Sequence, residues 1–156
     1  MTQYCIDTST WIHLAENYAI GKGVMRALWE TLDRLATARL IMSPDEVWIE
    51  LAEDDDAIKA WVKDRKRFLI RPHDHNVQRH FREVRNTYPL LTSKGKPQAK
   101  HEGDAWVIAL AKQAGAIVVS EETDELKKQE QKLPGVCRLM GIRHITTAEF
   151  IDKAME

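Results

Sequence analysis

Cysteine is scarce in this chain. Cys5 and Cys137 are its only two in 156 residues, too few and too far apart for a disulfide framework or a zinc-binding pair, so both are expected to be reduced and packed as small apolar groups. Long apolar runs are missing too. No stretch approaches the ~18 uninterrupted apolar residues of a membrane-spanning helix, and Met1-Thr2-Gln3-Tyr4 carries neither the basic nor the apolar block of a signal peptide. A cytoplasmic protein is expected. Internal repeats and low-complexity tracts are also lacking. The 44% hydrophobic and 30% charged content excludes a disordered chain, and the length suits one domain over residues 1–156.

Net charge is small as well, at -1, but its distribution is uneven. Between Lys59 and Lys100 stand twelve Lys and Arg against three acids, a local balance of +9 that leaves -10 elsewhere. A polyanion partner meeting an acidic site is one reading of that asymmetry; a solvated helical face is the commoner cause of a charge run. Arg79, Arg82 and Arg85 recur every three residues as one stripe, and Lys94, Lys96 and Lys100 follow in a segment rich in polar and loop-forming residues. These six are the candidate nucleic-acid contacts.

Apolar runs of strand length alternate with helical patterns, which is how a parallel sheet covered by helices looks in sequence. Strands are expected at Tyr4–Ile6, Arg39–Met42, Phe68–Ile70, Ala116–Val119 and Arg143–Ile145. Helices are expected over Thr10–Tyr18, Val24–Thr37, onward from Ser43 to Glu53, after Asp54-Asp55-Asp56, after Asp74, over Glu102–Ala114, over Pro134–Gly141 and from Thr147. Ser43 reads as an N-cap with Pro44 at the first helical position and Glu46 closing a capping box. Asp54-Asp55-Asp56 and Asp74 read as caps, the latter for a helix turning Val77, Phe81, Val84 and Tyr88 inward. Gly115 reads as a helix stop. Pro89 to Lys100 reads as an exposed, mobile loop. The five tryptophans fall mostly on apolar helical faces, so packing outweighs base stacking as their role.

In such a sheet the strand ends converge on one edge, where ligands bind. Asp7 directly follows the first strand and Glu122 comes three residues past the fourth. Asp104 sits in the first turn of the helix feeding that fourth strand, and Glu50 borders the buried face of its own helix. Two carboxylates ~4 Å apart repel by about 4 kcal/mol at an effective dielectric near 20. Four in one cleft therefore call for a compensating cation, and oxygen-only ligation selects a hard one such as magnesium or manganese. Such an ion acidifies water and contacts phosphate oxygens.

The chain resembles the PIN-domain nucleases, including the VapC-like ribonuclease toxins of bacterial toxin-antitoxin pairs. The matching pieces are Cys5-Ile6-Asp7-Thr8-Ser9, Ser43 to Leu51 ending in Glu50-Leu51, Gly103-Asp104-Ala105-Trp106-Val107-Ile108-Ala109-Leu110-Ala111, and Val118-Val119-Ser120-Glu121-Glu122. Taken in order they span nearly the whole chain. The resemblance implies a three-layer α/β/α sandwich with a parallel sheet of strand order 3-2-1-4-5, and metal-dependent hydrolysis of RNA phosphodiester bonds. It also implies an inhibitory antitoxin and a homodimer. Asp7, Glu50 and Asp104 correspond to the core acids, and Ser9 and Ser120 to hydroxyls that support the acids or their waters. Glu122 stands where the family has an aspartate, and Glu121 and Asp124 are alternatives for that fourth acid.

Blander readings stand beside these. Asp7 and Asp104 can cap their helices, Glu46, Glu50 and Glu53 can form an exposed acidic stripe, and Glu122 can be a solvated loop acid. His13 reads as a satisfied boundary histidine. His73-Asp74-His75 lies at a loop-to-helix boundary, away from the four motifs in sequence. Two rival functions stay open: a PIN-like module that binds RNA or protein without cutting, and a phosphoryl-transfer enzyme using Asp7 as nucleophile.

Overall fold

In the computed structural model, which describes residues 1–53, 56–92, 102–123 and 132–156, β1 (Tyr4–Ile6) is followed after a single residue, Asp7, by α1 (Thr8–Asn17). A short 3-10 turn leads into α2 (Arg26–Thr37), and β2 (Ile41–Pro44) comes next. Then α3 (Asp45–Ala52), α4 (Asp56–Asp64) and α5 (Lys66–Leu69) lead to β3 (Ile70–Arg71). After α6 (His75–Thr87), α7 (Pro89–Thr92) and α8 (Glu102–Ala114) the chain enters β4 (Ile117–Ser120), α9 (Leu133–Leu139), β5 (His144–Thr146) and α10 (Thr147–Ala154).

The sheet has the order β3-β2-β1-β4-β5 with every pairing parallel. That is the expected fold class and strand order. β1 lies at its centre, with Cys5 opposite Met42 on one side and Val118 on the other. Strands this short and apolar suit burial on both faces. α8, which touches β1 and β2 and carries α6 along it, forms one helical layer, while α1, α2 and α10 contact the sheet from the other. The chain steps outward from β1 to β3, then returns to β4 and β5. With right-handed crossovers, the segments after β1 and β4 leave for opposite faces and open a crevice at their carboxyl ends. Asp7 and Glu122 stand at that crevice.

Trp11, Trp29 and Trp61 are buried in the core, with Trp61 5.6 Å from Trp11 and 5.2 Å from Trp29 between ring centroids. Asp74 caps α6 as expected, its carboxylate accepting the Val77 N–H at 2.9 Å. Gly115, at φ +67, ends α8. Among the described residues no helix is long and apolar enough to cross a membrane.

Four local expectations are corrected. Ser43 and Pro44 end β2 instead of opening α3. The Ser43 hydroxyl is fully buried and spends its bonds on the core, donating to the Ile6 carbonyl at 2.6 Å and accepting from the Trp11 indole at 3.0 Å. No side chain caps α3; Asp45 and Glu46 complement its first turn instead. Arg39 does not begin a strand, because it closes α2 at φ +60 while the Leu40 N–H reaches back to the Leu35 carbonyl at 2.8 Å. Phe68 and Leu69 are helical, both amides bonding the Arg65 carbonyl, so β3 retains only Ile70 and Arg71. Pro89–Thr92 is a helical turn and not part of a loop. Lys94, Lys96, Lys100, Asp54, Asp55 and Asp124 lie outside the described residues.

Candidate active site

Asp7 occupies the N-cap position of α1, yet its side chain makes no capping bond. Its Oδ2 takes the Ser9 hydroxyl at 2.7 Å, and the Ser9 oxygen in turn accepts the Glu121 N–H at 3.2 Å. One serine thus ties the end of β1 to the segment leaving β4. Asp7 is buried, and that desolvation pushes its pKa upward, with the Ser9 hydroxyl and the Thr8 and Ser9 amides offsetting part of the rise.

Glu50 approaches from α3 and Asp104 from the first turn of α8. Burial, then the charge of Asp7, pushes the Glu50 carboxyl up to about 7, with the Thr8 hydroxyl opposing and Glu46 and Glu53 adding smaller pushes. Asp104 is raised well above its ordinary value by burial first, then by Asp7, Glu122 and Glu50. Lys132, just before α9, works against that rise. Asp104 is thus acted on by Asp7, Glu122 and Glu50, and Glu50 by Asp7, across one crevice. Asp7 takes its hydrogen bonds from the start of its own helix, while the acids that act on Asp104 come from three other parts of the chain.

The approach of α3 to α8 depends on Gly103. A β-carbon there would collide with Glu50 Oε1 and stand 3.4 Å from its Cδ. Past β4, the Ser120 hydroxyl is 2.7 Å from His144 Nε2 and accepts the Glu122 N–H at 3.2 Å, which bends the chain so that Glu122 turns inward. Glu121 turns outward, its carboxylate 3.4 Å from His13 Nδ1, and both side chains are exposed. Of the alternatives for the fourth acid, Glu122 acts on Asp104 and Glu121 meets His13 at the rim. Cys137 is buried beneath the acids, and burial together with Asp104, Glu122 and Asp7 pushes its thiol far up, which leaves it inert at neutral pH.

A hard dication fits this donor set. The donors are all carboxylate oxygens, burial and mutual repulsion raise Glu50 and Asp104, and Lys132 works against the rise at Asp104. Among the described residues, no three His, Cys, Asp or Glu groups already converge as a metal-coordinating set.

Not every candidate residue reaches the crevice. Arg79, Arg82 and Arg85 lie exposed along α6. His73 is placed otherwise than its sequence position suggests. It contacts Glu46 of one motif at 3.3 Å and stacks on Trp106 of another at 3.7 Å. Sequence reasoning passed over Gly103, Lys132 and Glu46 as parts of the site. The signals for two of them were present: a glycine directly before Asp104, and a second glutamate one turn before Glu50.

Residues 4–156 match the family described as "Domain of unknown function (DUF4411)". No curated protein matches the chain. Among solved structures, it is similar to the DNA-bound VapBC of Salmonella typhimurium at 19% identity and TM-score 0.55, with 94% of this chain and 99% of that one covered. VapBC-1 of nontypeable Haemophilus influenzae gives 13% and 0.52, covering 94% and 99%. VapBC2 of Rickettsia felis, bound to a DNA fragment from its promoter, gives 14% and 0.53, covering 93% and 98%. The fold is therefore the PIN-like fold that the sequence resemblance implies.

Proposed function

The chain belongs to that domain family of unknown function, and we propose that it is a divalent-metal-dependent endoribonuclease, the toxin of a cytoplasmic toxin-antitoxin pair. The observation that carries the reading is the mutual action of Asp7, Glu50, Asp104 and Glu122 at the crevice between β1 and β4. Buried carboxylates that repel one another lower stability unless they serve a ligand. Likeness in fold to VapBC proteins supports the toxin assignment and an antitoxin partner. A homodimer belongs to the same reading.

Asp7, Glu50, Asp104 and Glu122 would hold one or two magnesium or manganese ions. Such an ion, when bound, supplies positive charge to the phosphate and acidifies water near neutral pH. Ser9 fixes the rotamer of Asp7, and Ser120 holds the backbone that presents Glu122. Glu50, pushed up to about 7, gives up its proton within the neutral range when a cation takes its place.

The test is incubation of the purified chain with structured and unstructured RNAs in magnesium, manganese or chelator. Discrete fragments in metal alone are expected, with loss of about a hundredfold or more in Asp7→Asn and Asp104→Asn, since even outer partners of metal ligands are worth 10–100-fold. Equal cleavage by either variant rejects the mechanism. A second reading, a PIN-like module that binds RNA or protein without cutting, is favoured by one observation: no three donors converge among the described residues. Manganese-dependent melting separates the two, because an ion that binds the native state raises its melting temperature.

A further inference from the structure

Next to the acids lies an arrangement that the proposed chemistry does not use. Trp106, two residues past Asp104 on α8, is covered on both faces. The His73 ring lies 3.7 Å away at 15°, and the Phe81 ring 3.8 Å away at 11°. No nucleobase can stack on an indole covered in this way. His73 Nε2 stands 3.3 Å from Glu46 Oε1, and both side chains are mostly buried, at 19% and 24% exposure. The other ring nitrogen, Nδ1, is buried with no partner among the described residues. Among the described residues, Glu46 is thus the side-chain hydrogen-bond partner of the imidazole, which the Trp106 ring also holds from its face.

A purely packing role does not account for this. Phenylalanine would complete the three-ring stack without an unpartnered nitrogen, and a polar pair largely out of water carries a desolvation cost that apolar packing avoids. The placement of the pair gives a different account. Glu46 and Glu50 lie one turn apart on the same side of α3, and Gly103 and Trp106 lie three apart on the same side of α8. The two helices thus meet at two points: Glu50 against Gly103, and Glu46 through His73 against Trp106.

We infer that His73 is a positioning residue for the acid site: held by Glu46 and resting on Trp106, it fixes how α3 stands against α8, and so where Glu50 meets Asp104. This rests on the reading of the four acids as a cation site. His73 touches neither ion nor RNA; it acts through α3.

The experiment uses the full chain with manganese alone, following thermal melting across a titration, and RNA cleavage in parallel. His73→Phe keeps the ring stack and removes the bond to Glu46; Glu46→Gln keeps the shape and weakens the same bond. His73→Phe is expected to melt close to wild type without manganese, to bind manganese about tenfold more weakly, as outer partners of ligands do, and to lose kcat with little change in the KM for RNA. The double variant should be no worse than the poorer single one. A merely structural histidine would lower the melting temperature and leave manganese affinity unchanged, which overturns the inference. Additive effects overturn it too, because Glu46 would then act by its own charge. Should His73→Phe not fold, Glu46→Gln carries the same comparison. A wild-type chain that neither binds manganese nor cleaves RNA rejects the cation reading and this inference with it. One that does both, with unaltered variants, rejects this inference only.

Discussion

The Oε1 of Glu50 occupies the space where a β-carbon on Gly103 would stand. Gly103 does not have a positive φ, so the missing side chain serves the approach of α3 and not the path of the backbone. In an ordinary helix, alanine in place of glycine gains about 1 kcal/mol. Here that gain is set against a displaced carboxylate. Gly103→Ala is expected to melt within a few degrees of wild type or higher, and to bind manganese at least about tenfold more weakly with cleavage falling in step, the scale of a misoriented ligand. Calorimetry and a melting titration read both quantities. Wild-type manganese affinity in this variant would mean that Glu50 is no ligand.

The acids also set a pH dependence whose sign is opposite to that of a salt-bridged carboxylate. Glu50 is held at about 7 in the fold against 4.5 for the free side chain. Asp7 and Asp104 are raised as well. Between those values the folded state binds more protons than the unfolded one, so stability falls as pH rises. The metal-free protein is therefore expected to melt highest near pH ~5 and progressively lower toward pH ~8. Glu83 runs the other way, its pKa lowered by the Lys112 hydrogen bond, but it is an exposed pair of small weight. Saturating magnesium should flatten the decline, because the cation replaces the protons. Melting curves across that range, with and without magnesium, check it, and Glu50→Gln should flatten the metal-free slope. A melting temperature that rises over the same range would contradict the crowding of the carboxylates.

Two serines separate function from stability. Ser9 donates to Asp7 at 2.7 Å at the crevice, so Ser9→Ala is expected to reduce cleavage and manganese affinity by about 10–100-fold, as loss of an outer partner does, with a small effect on melting. Ser43 bonds Ile6 and Trp11 in the core. Ser43→Ala leaves a buried indole N–H unpaired and should cost about 1–3 kcal/mol in denaturant unfolding, with activity per folded molecule retained. The reverse pattern would exchange the roles assigned to the two hydroxyls.

The sheet order and most helices could be read from the sequence, because both follow from periodicity and from strand-length apolar runs such as Ile117 to Val119, which is buried as a strand between parallel neighbours should be. Asp74 as a cap was equally plain, since its bond is local. Ser43 was misread for the same reason: its local context is that of an N-cap, while its partners, Ile6 and Trp11, are more than thirty residues away. Asp7 and Glu122 were legible as residues past strand ends, Asp104 as one at a helix start and Glu50 as one at the edge of a buried helical face. Their environment was not. Gly103 looks like any helical glycine until Glu50 is placed beside it, and His73 looks remote until α3 and α8 bring Glu46 and Trp106 to its ring. Contacts between distant segments leave no periodic trace.

The basic stripe on α6 completes the proposal for RNA. Arg79, Arg82 and Arg85 are exposed on the helix that packs along α8, the element carrying Asp104. Arg85 is held over the Phe81 ring at 5.7 Å, which restrains one of the three guanidinium groups. If the stripe contacts the phosphates of a single strand, each contact releases about 0.7 of a counterion, so replacing all three arginines with alanine should lower the salt slope of binding by about 2. Measured by fluorescence anisotropy in the Asp104→Asn background, where RNA is not cut, affinity should fall at low salt and converge with that of the parent as salt is raised. Cleavage by the active chain at saturating RNA should be retained, because the stripe touches none of the acids. An unaltered slope would show that these arginines are a solvated face, and the RNA path would then have to leave the crevice by another side.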